Sequence, residues 1–153
     1  MRAPGVGKKL VLGCCLALAA ATTSGVAQAA CRTADLAGTW YAMGVSGNIV
    51  GSYFDISNRC KIQISSTGAI IASGSSCNFY DWTGDGTSNI TGGKLKISSY
   101  CTITGYISIC EPNGCGYIRI PYAQMEGSKD AFPLQGFFSA DPGFRYNLHF
   151  VKR

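Results

Sequence analysis

One histidine, His149, two tryptophans and a charged fraction of only 14% leave this 153-residue chain poor in the groups from which most catalytic sites are assembled. No Ser-His-Asp order, phosphate-binding glycine loop or close carboxylate pair is present. His149 falls on the outward parity of its strand beside Arg145 and Asn147, where a solvated surface residue is the simpler reading than a base. The expectation is a protein that is not an enzyme and carries no cofactor. There is no Cys-x-x-Cys pair, which together with the single histidine removes the usual zinc and dithiol-redox arrangements. Basic runs are missing as well, so nothing tracks a phosphate backbone and nucleic acid is excluded as a partner. Beyond residue 29 no apolar run is long enough to cross a bilayer as a helix.

Residues 1–29 have the three parts of a secretory signal peptide: basic Arg2, Lys8 and Lys9, a short apolar core over residues 10–21, and the small-residue exit Ala27-Gln28-Ala29. Lipid attachment at Cys31 would need a better lipobox than Gln28-Ala29-Ala30. The expected mature unit is a single domain over residues 30–153, secreted or periplasmic. Three of the thirteen basic residues leave with the leader while all eight acids stay, so the mature chain is nearly neutral. Cys14 and Cys15 leave too. Cys31, Cys60, Cys77, Cys101, Cys110 and Cys115 remain, an even number in an exported chain, which reads as three disulfides.

Residues 101–122 set the register for the rest. Ile103, Ile107 and Ile109 share one parity, and Ile118, Ile120 and Tyr122 share one in the partner strand, with the turn-forming Glu111-Pro112-Asn113-Gly114 between. Pairing Cys110 with Cys115 puts Ile107 across from Ile118, Gly105 from Ile120 and Ile103 from Tyr122. A slip of one residue would scatter the apolar faces. Residues 60–77 read as a second hairpin with Cys60 facing Cys77, its tip at Gly68-Ala69, and Ile62, Ile64 and Ile71 on the cysteine face. By elimination the third bridge is Cys31 to Cys101.

The other segments fall around these. Residues 34–45 and 48–56 look like a first hairpin, and residues 94–99 alternate with Leu95 and Ile97 inward. Residues 78–93 read as a loose Gly- and Ser-rich loop. Asp81, Thr83, Asp85, Gly86 and Asn89 imitate half a calcium loop there, but Gly92 stands where a bidentate Glu is needed, and Asx turns are the preferred reading. Residues 123–132 form a polar connection with room for one helical turn. The last hairpin turns at Asp141-Pro142-Gly143, and its second strand puts Phe144, Tyr146, Leu148 and Phe150 on one side. Strand centres at Trp40, Tyr53, Ile62, Ile71, Leu95, Ile103, Ile118, Phe137 and Leu148 predict an all-β, small antiparallel up-and-down barrel of eight or nine strands with disulfides, a β-sandwich being the alternative. Polar outward positions argue against an outer-membrane barrel.

Leu36-Ala37-Gly38-Thr39-Trp40-Tyr41 resembles the Gly-x-Trp opening of lipocalins and other calycins. The resemblance implies an antiparallel barrel with Trp40 on the first strand at the closed end, covered by a basic residue that could be Arg145, Lys152 or Arg153. The same opening, the small size and a hairpin cystine are also similar to bacterial periplasmic metalloprotease inhibitors, which share the barrel. The chain departs from lipocalins in lacking a Thr-Asp-Tyr motif and a C-terminal helix.

Two binding functions follow. As the calycin resemblance implies, a carrier would hold a hydrophobic small molecule over Trp40, with Tyr53, Ile103 and Tyr146 as further lining. A protein-binding module, such as a protease inhibitor, would act through an exposed surface or the N-terminal arm. In the register above Tyr106 faces Arg119 with Tyr117 diagonal to it, a group of the composition enriched at interface hot spots.

Overall fold

The computed structural model describes residues 30–51, 54–111 and 114–153; the expected signal peptide and Tyr53 lie outside them. Eight antiparallel strands follow one another around a closed barrel: β1 Gly38–Asn48, β2 Ile56–Ile64, β3 Ser76–Asp81, β4 Gly84–Ile97, β5 Thr102–Glu111, β6 Gly114–Gln124, β7 Ala131–Phe138 and β8 Phe144–Lys152. Strand β8 closes the ring on β1, so neither terminal strand is left with an unpaired edge. This is the up-and-down barrel that the strand pattern predicts, with the smaller of the two strand counts. Arg59, Lys61, Lys94, Lys96 and Arg119 point outward from the wall, charges that a lipid-facing band disfavours.

Alternation sends one face of every strand inward, and the interior is layered. At the end where β1 begins, Trp40, Phe132 and Phe150 pack in series, Trp40 to Phe132 at 4.9 Å and Phe132 stacked on Phe150 at 4.7 Å. The middle is branched aliphatic: Ile62, Leu95, Ile103, Ile107, Ile120 and Leu134 are almost wholly buried. Each such side chain contributes about 1.5–3 kcal/mol when fully removed from water. Toward the other end the lining turns polar. Buried Asn58 donates through Nδ2 to Ser46 Oγ at 2.8 Å, and buried Ser88 donates to Glu111 Oε1 at 3.0 Å, so these polar groups are satisfied.

A 3-10 turn, Thr33–Leu36, closes the aromatic end. Leu36 is fully buried and its carbonyl accepts the Trp40 indole N–H at 2.7 Å. Asp35 accepts from the Arg32 backbone N–H at 2.8 Å and pairs with Lys129 at 3.0 Å, tying the turn to the β6–β7 connection. These bonds, the Arg32 N–H first and the Lys129 ammonium second, hold the Asp35 carboxyl below its ordinary value of 3.8. A lowered folded-state value means the stabilisation is complete above the ordinary value and is lost as pH falls through the lowered one. Asp35→Asn should therefore be less stable than wild type at pH 7, and the gap should shrink in strongly acidic buffer. Urea unfolding at both pH values checks this, and a pH-independent gap would count against it.

All three disulfides form as expected, Cys60–Cys77 and Cys110–Cys115 from the hairpin registers and Cys31–Cys101 by elimination. The central hairpin keeps its register from Cys110↔Cys115 to Gly105↔Ile120, then shifts: Ile103 pairs with Ala123, not Tyr122. Strand β6 carries one extra residue here against both neighbours, so Pro121 and Tyr122 both face out and Ala123 goes in. Pro121 has no N–H to give a ladder, and a bulge is where a strand tolerates it.

Other expectations are corrected in the same way. Residues 48–56 are not the second strand of the first hairpin: β1 extends to Asn48 and pairs directly with β2 beginning at Ile56, the residues between forming their connection. Residues 65–75 do not make a two-residue hairpin turn. A β-turn over Ser65–Gly68, bridges at Ile64↔Ile70 and Ala69↔Lys94, and a 3-10 turn Ala72–Gly74 take their place, so Ile70 is buried and Ile71 is exposed. Residues 78–93 are no loop. They complete β3 and begin β4, with a two-residue turn at Trp82-Thr83. The connection before β7 holds a turn from Glu126 to Lys129 and no helix.

Candidate functional site

Of the residues expected to line a ligand, the structure describes Trp40, Ile103 and Tyr146, and all three are buried. Trp40 and Ile103 are fully buried, and Tyr146 is buried near the polar end with its ring 5.3 Å from Phe144. Burial, with a smaller contribution from the Glu111 charge, pushes the Tyr146 phenol well above its ordinary range and keeps it neutral. Lys152 is the basic residue over Trp40: its ammonium lies 5.5 Å from the indole centroid and donates to the Asp35 carbonyl at 3.0 Å. Phe132 packs beside the same indole. Phe132 and Lys152 thus both lie against the Trp40 indole.

The outside of the wall is different. Strand pairing places Lys94 of β4, Tyr106 of β5, Arg119 of β6, Phe137 of β7 and Arg145 of β8 in direct succession, each paired with the next. All five have outward parity, so cation and aromatic alternate along one row. At about 4.8 Å between neighbouring strands the row spans roughly 19 Å. Tyr117, two residues before Arg119 on the same face of β6, sits edge-on to Tyr106 at 5.8 Å and lies under the Arg119 guanidinium at 5.8 Å. The Arg145 guanidinium stands 5.2 Å over the Phe137 ring. Such contacts hold long side chains in place at an exposed site for about 0.5–1 kcal/mol each.

Among the described residues, which include all eight acids, neither Arg119, Arg145 nor Lys94 forms an ion pair. Lys94 instead donates to the Thr67 carbonyl at 2.6 Å. The structure thus brings together the three residues expected from the hairpin, Tyr106, Tyr117 and Arg119, and adds Lys94, Phe137 and Arg145. Lys94 joins through the β4–β5 register, and Phe137 and Arg145 through the setting of β7 and β8 against the bulged β6, neither of which local alternation reveals.

The remaining candidates stand apart from this row. His149 lies 3.4 Å from Glu126 on an exposed stretch of wall. Asp81 accepts from the Thr83 hydroxyl at 2.6 Å and its N–H at 2.7 Å, and these bonds lower its carboxyl below the ordinary value. It is a turn-making aspartate, as the Asx reading of residues 78–93 expects. Asp141 does the same for the last hairpin, accepting from the Gly143 N–H at 2.9 Å and from Asn48 at 3.0 Å. No protein-family model, curated protein or solved structure matches the chain.

Proposed function

We propose that the chain is an exported, non-catalytic binding module that docks an acidic protein surface on the outer row of β4 to β8. The observation that carries this reading is the alternation Lys94, Tyr106, Arg119, Phe137, Arg145 across five neighbouring strands. Tyrosine and arginine dominate interface hot spots because they bury large surface at modest entropic loss while offering donors. Three cations and no carboxylate in the row set the sign of the partner, since like charge brought into an interface is strongly disfavoured. The carrier reading has less support. A barrel of eight strands is just wide enough to be filled by its own side chains, and here Trp40, Phe132, Phe150 and the isoleucines fill it. Of the two resemblances in the opening of β1, the inhibitor-like one agrees better with a packed interior.

The test compares capture from the secreted or periplasmic fraction of the host by wild type and by a Tyr106→Ala/Arg119→Ala double variant. Wild type should retain an acidic protein whose binding weakens with salt. The variant should bind that protein about 30-fold more weakly, the loss expected for one hot spot of about 2 kcal/mol. Undiminished capture by the variant, or native mass spectrometry showing a retained hydrophobic small molecule, would overturn the proposal.

A further inference from the structure

A second surface, on different residues, has the chemistry of a small-molecule site. On the outer wall of β2, β3 and β4 the pairings Ser57↔Tyr80↔Asp85 and Arg59↔Asn78↔Thr87 make two parallel rows of exposed side chains. They line a concavity of about 550 Å³, within the range of small-ligand sites. Its floor is the Phe79↔Gly86 pair between the rows, which has inward parity. The Phe79 ring occupies the space where a Gly86 Cβ would stand, 2.1 Å from such an atom, so the pair presents backbone to the outside and the rows are left as walls.

Both ends of the trough are braced. The Cys60–Cys77 bridge joins β2 to β3 at the pair next to Arg59↔Asn78. The Asp81 hydrogen bonds to Thr83 fix the β3–β4 turn next to Tyr80. The polar groups on the walls are held but not used up. Thr87 Oγ1 donates to Asn78 Oδ1 at 3.2 Å, which engages the amide's acceptor and leaves its two N–H donors free among the described residues. Neither Arg59 nor Asp85 has an ion-pair partner there. The Tyr80 side chain stands 60% exposed at the edge.

We propose that this trough binds a neutral saccharide. Arg59 and Asp85 cancel in charge, and of the flanking groups Lys61 beyond Arg59 is offset by Asp81 beyond Tyr80, so neither an anion nor a cation is favoured over the other. Free donors on Arg59 and Asn78 beside free acceptors on Asp85 suit hydroxyl groups, which both give and take hydrogen bonds. The Tyr80 ring offers an apolar face for the C–H side of a sugar ring. Bracing by the disulfide and the turn lowers the ordering cost that weak polar binding has to overcome.

Titration of the ¹⁵N-labelled mature chain with maltotetraose, cellotetraose and tetra-N-acetylchitotetraose, and with a heparin tetrasaccharide and a chitosan tetramer as charged comparators, tests the proposal by NMR. At least one neutral sugar should shift the amides of Arg59, Asn78, Tyr80, Asp85 and Thr87 at millimolar concentration. Tyr80→Ala and, separately, Asp85→Ala should each weaken that binding about tenfold, with amide spectra otherwise native. Lys94→Ala should leave it unchanged. No shift with any neutral sugar, shifts mapping to another surface, or binding of the charged comparators alone would each overturn the assignment.

Discussion

Replacing Trp40 with alanine is expected to remove about 3–5 kcal/mol of stability, against a total of about 5–15 kcal/mol for a domain of ordinary stability. Trp40 is wholly buried, so its loss opens a cavity at the closed end. Phe132 and Phe150 are stacked on each other and braced by β7 and β8, and cannot collapse into it freely. The indole also holds the Thr33–Leu36 turn through the Leu36 carbonyl, and alanine would leave that acceptor without its donor. Lys152 would lose the ring beneath its ammonium but keep the Asp35 carbonyl. Thermal unfolding should shift down by roughly 10–20 °C. Trp40→Phe separates the contributions: it retains an aromatic partner for Phe132 and should recover more than half of the loss. A deficit below about 2 kcal/mol for Trp40→Ala would mean that the closed end relaxes into the vacancy and is not the packed plug described above.

The parts of this fold legible in the sequence are those where side-chain parity and turn chemistry act locally. Cys110 faces Cys115 because Ile107, Ile109, Ile118 and Ile120 leave one register that buries them all. The alternation of Phe144, Tyr146, Leu148 and Phe150 is likewise a local fact that burial preserves. Parity fails where the chain slips. In Ile120-Pro121-Tyr122-Ala123 the bulge reverses the faces, and nothing in the composition announces it beyond a proline that cannot join the ladder. In Ile70-Ile71 two identical side chains compete for the inside, and the bridge to Ile64 decides for the first.

Residues 78–93 mislead for a different reason. Gly84, Gly86, Ser88, Asn89, Gly92 and Gly93 have low strand propensity, yet β3 pairs with the first part of β4, Gly84 to Ser88, and β5 with the rest, from Asn89 on, and tertiary pairing overrides the local preference. Glycine even serves the wall there, since the Phe79 ring needs the room at Gly86. The binding row shows the same division. Tyr106, Tyr117 and Arg119 lie in one hairpin and can be aligned by counting, whereas Phe137 and Arg145 join them only through the β6–β7 shift. Tyr80 and Asp85 of the trough were hidden inside the segment whose composition reads as loop.

The three disulfides should differ in what their removal costs, and the order follows from the chain they enclose. Sequence separations of 70, 17 and 5 residues for Cys31–Cys101, Cys60–Cys77 and Cys110–Cys115 correspond to about 4, 3 and 2 kcal/mol of restricted unfolded-chain entropy. The first bridge has a second role. Cys31 precedes the Thr33–Leu36 turn and Cys101 precedes β5, so the bond pins the arm that carries Leu36 into the aromatic end. Its backbone hydrogen bond, Cys31 N–H to the Ser99 carbonyl at 3.3 Å, is long, and further polar ties of the arm run through the long side chains of Lys129, to the Ala30 carbonyl and Asp35, and Lys152, to the Asp35 carbonyl, so the bridge is its one covalent restraint. Cys31→Ala/Cys101→Ala should therefore lose at least about 4 kcal/mol, more than the Cys60→Ala/Cys77→Ala variant, with Cys110→Ala/Cys115→Ala the mildest. It should also raise hydrogen exchange at the Trp40 indole N–H, because the carbonyl that accepts from it travels with the arm. Urea unfolding of the three double variants gives the order directly. If the Cys110–Cys115 pair proved the most damaging, or the Trp40 indole stayed protected after loss of Cys31–Cys101, the Thr33–Leu36 turn would have to be held by its own packing and the Asp35–Lys129 pair instead.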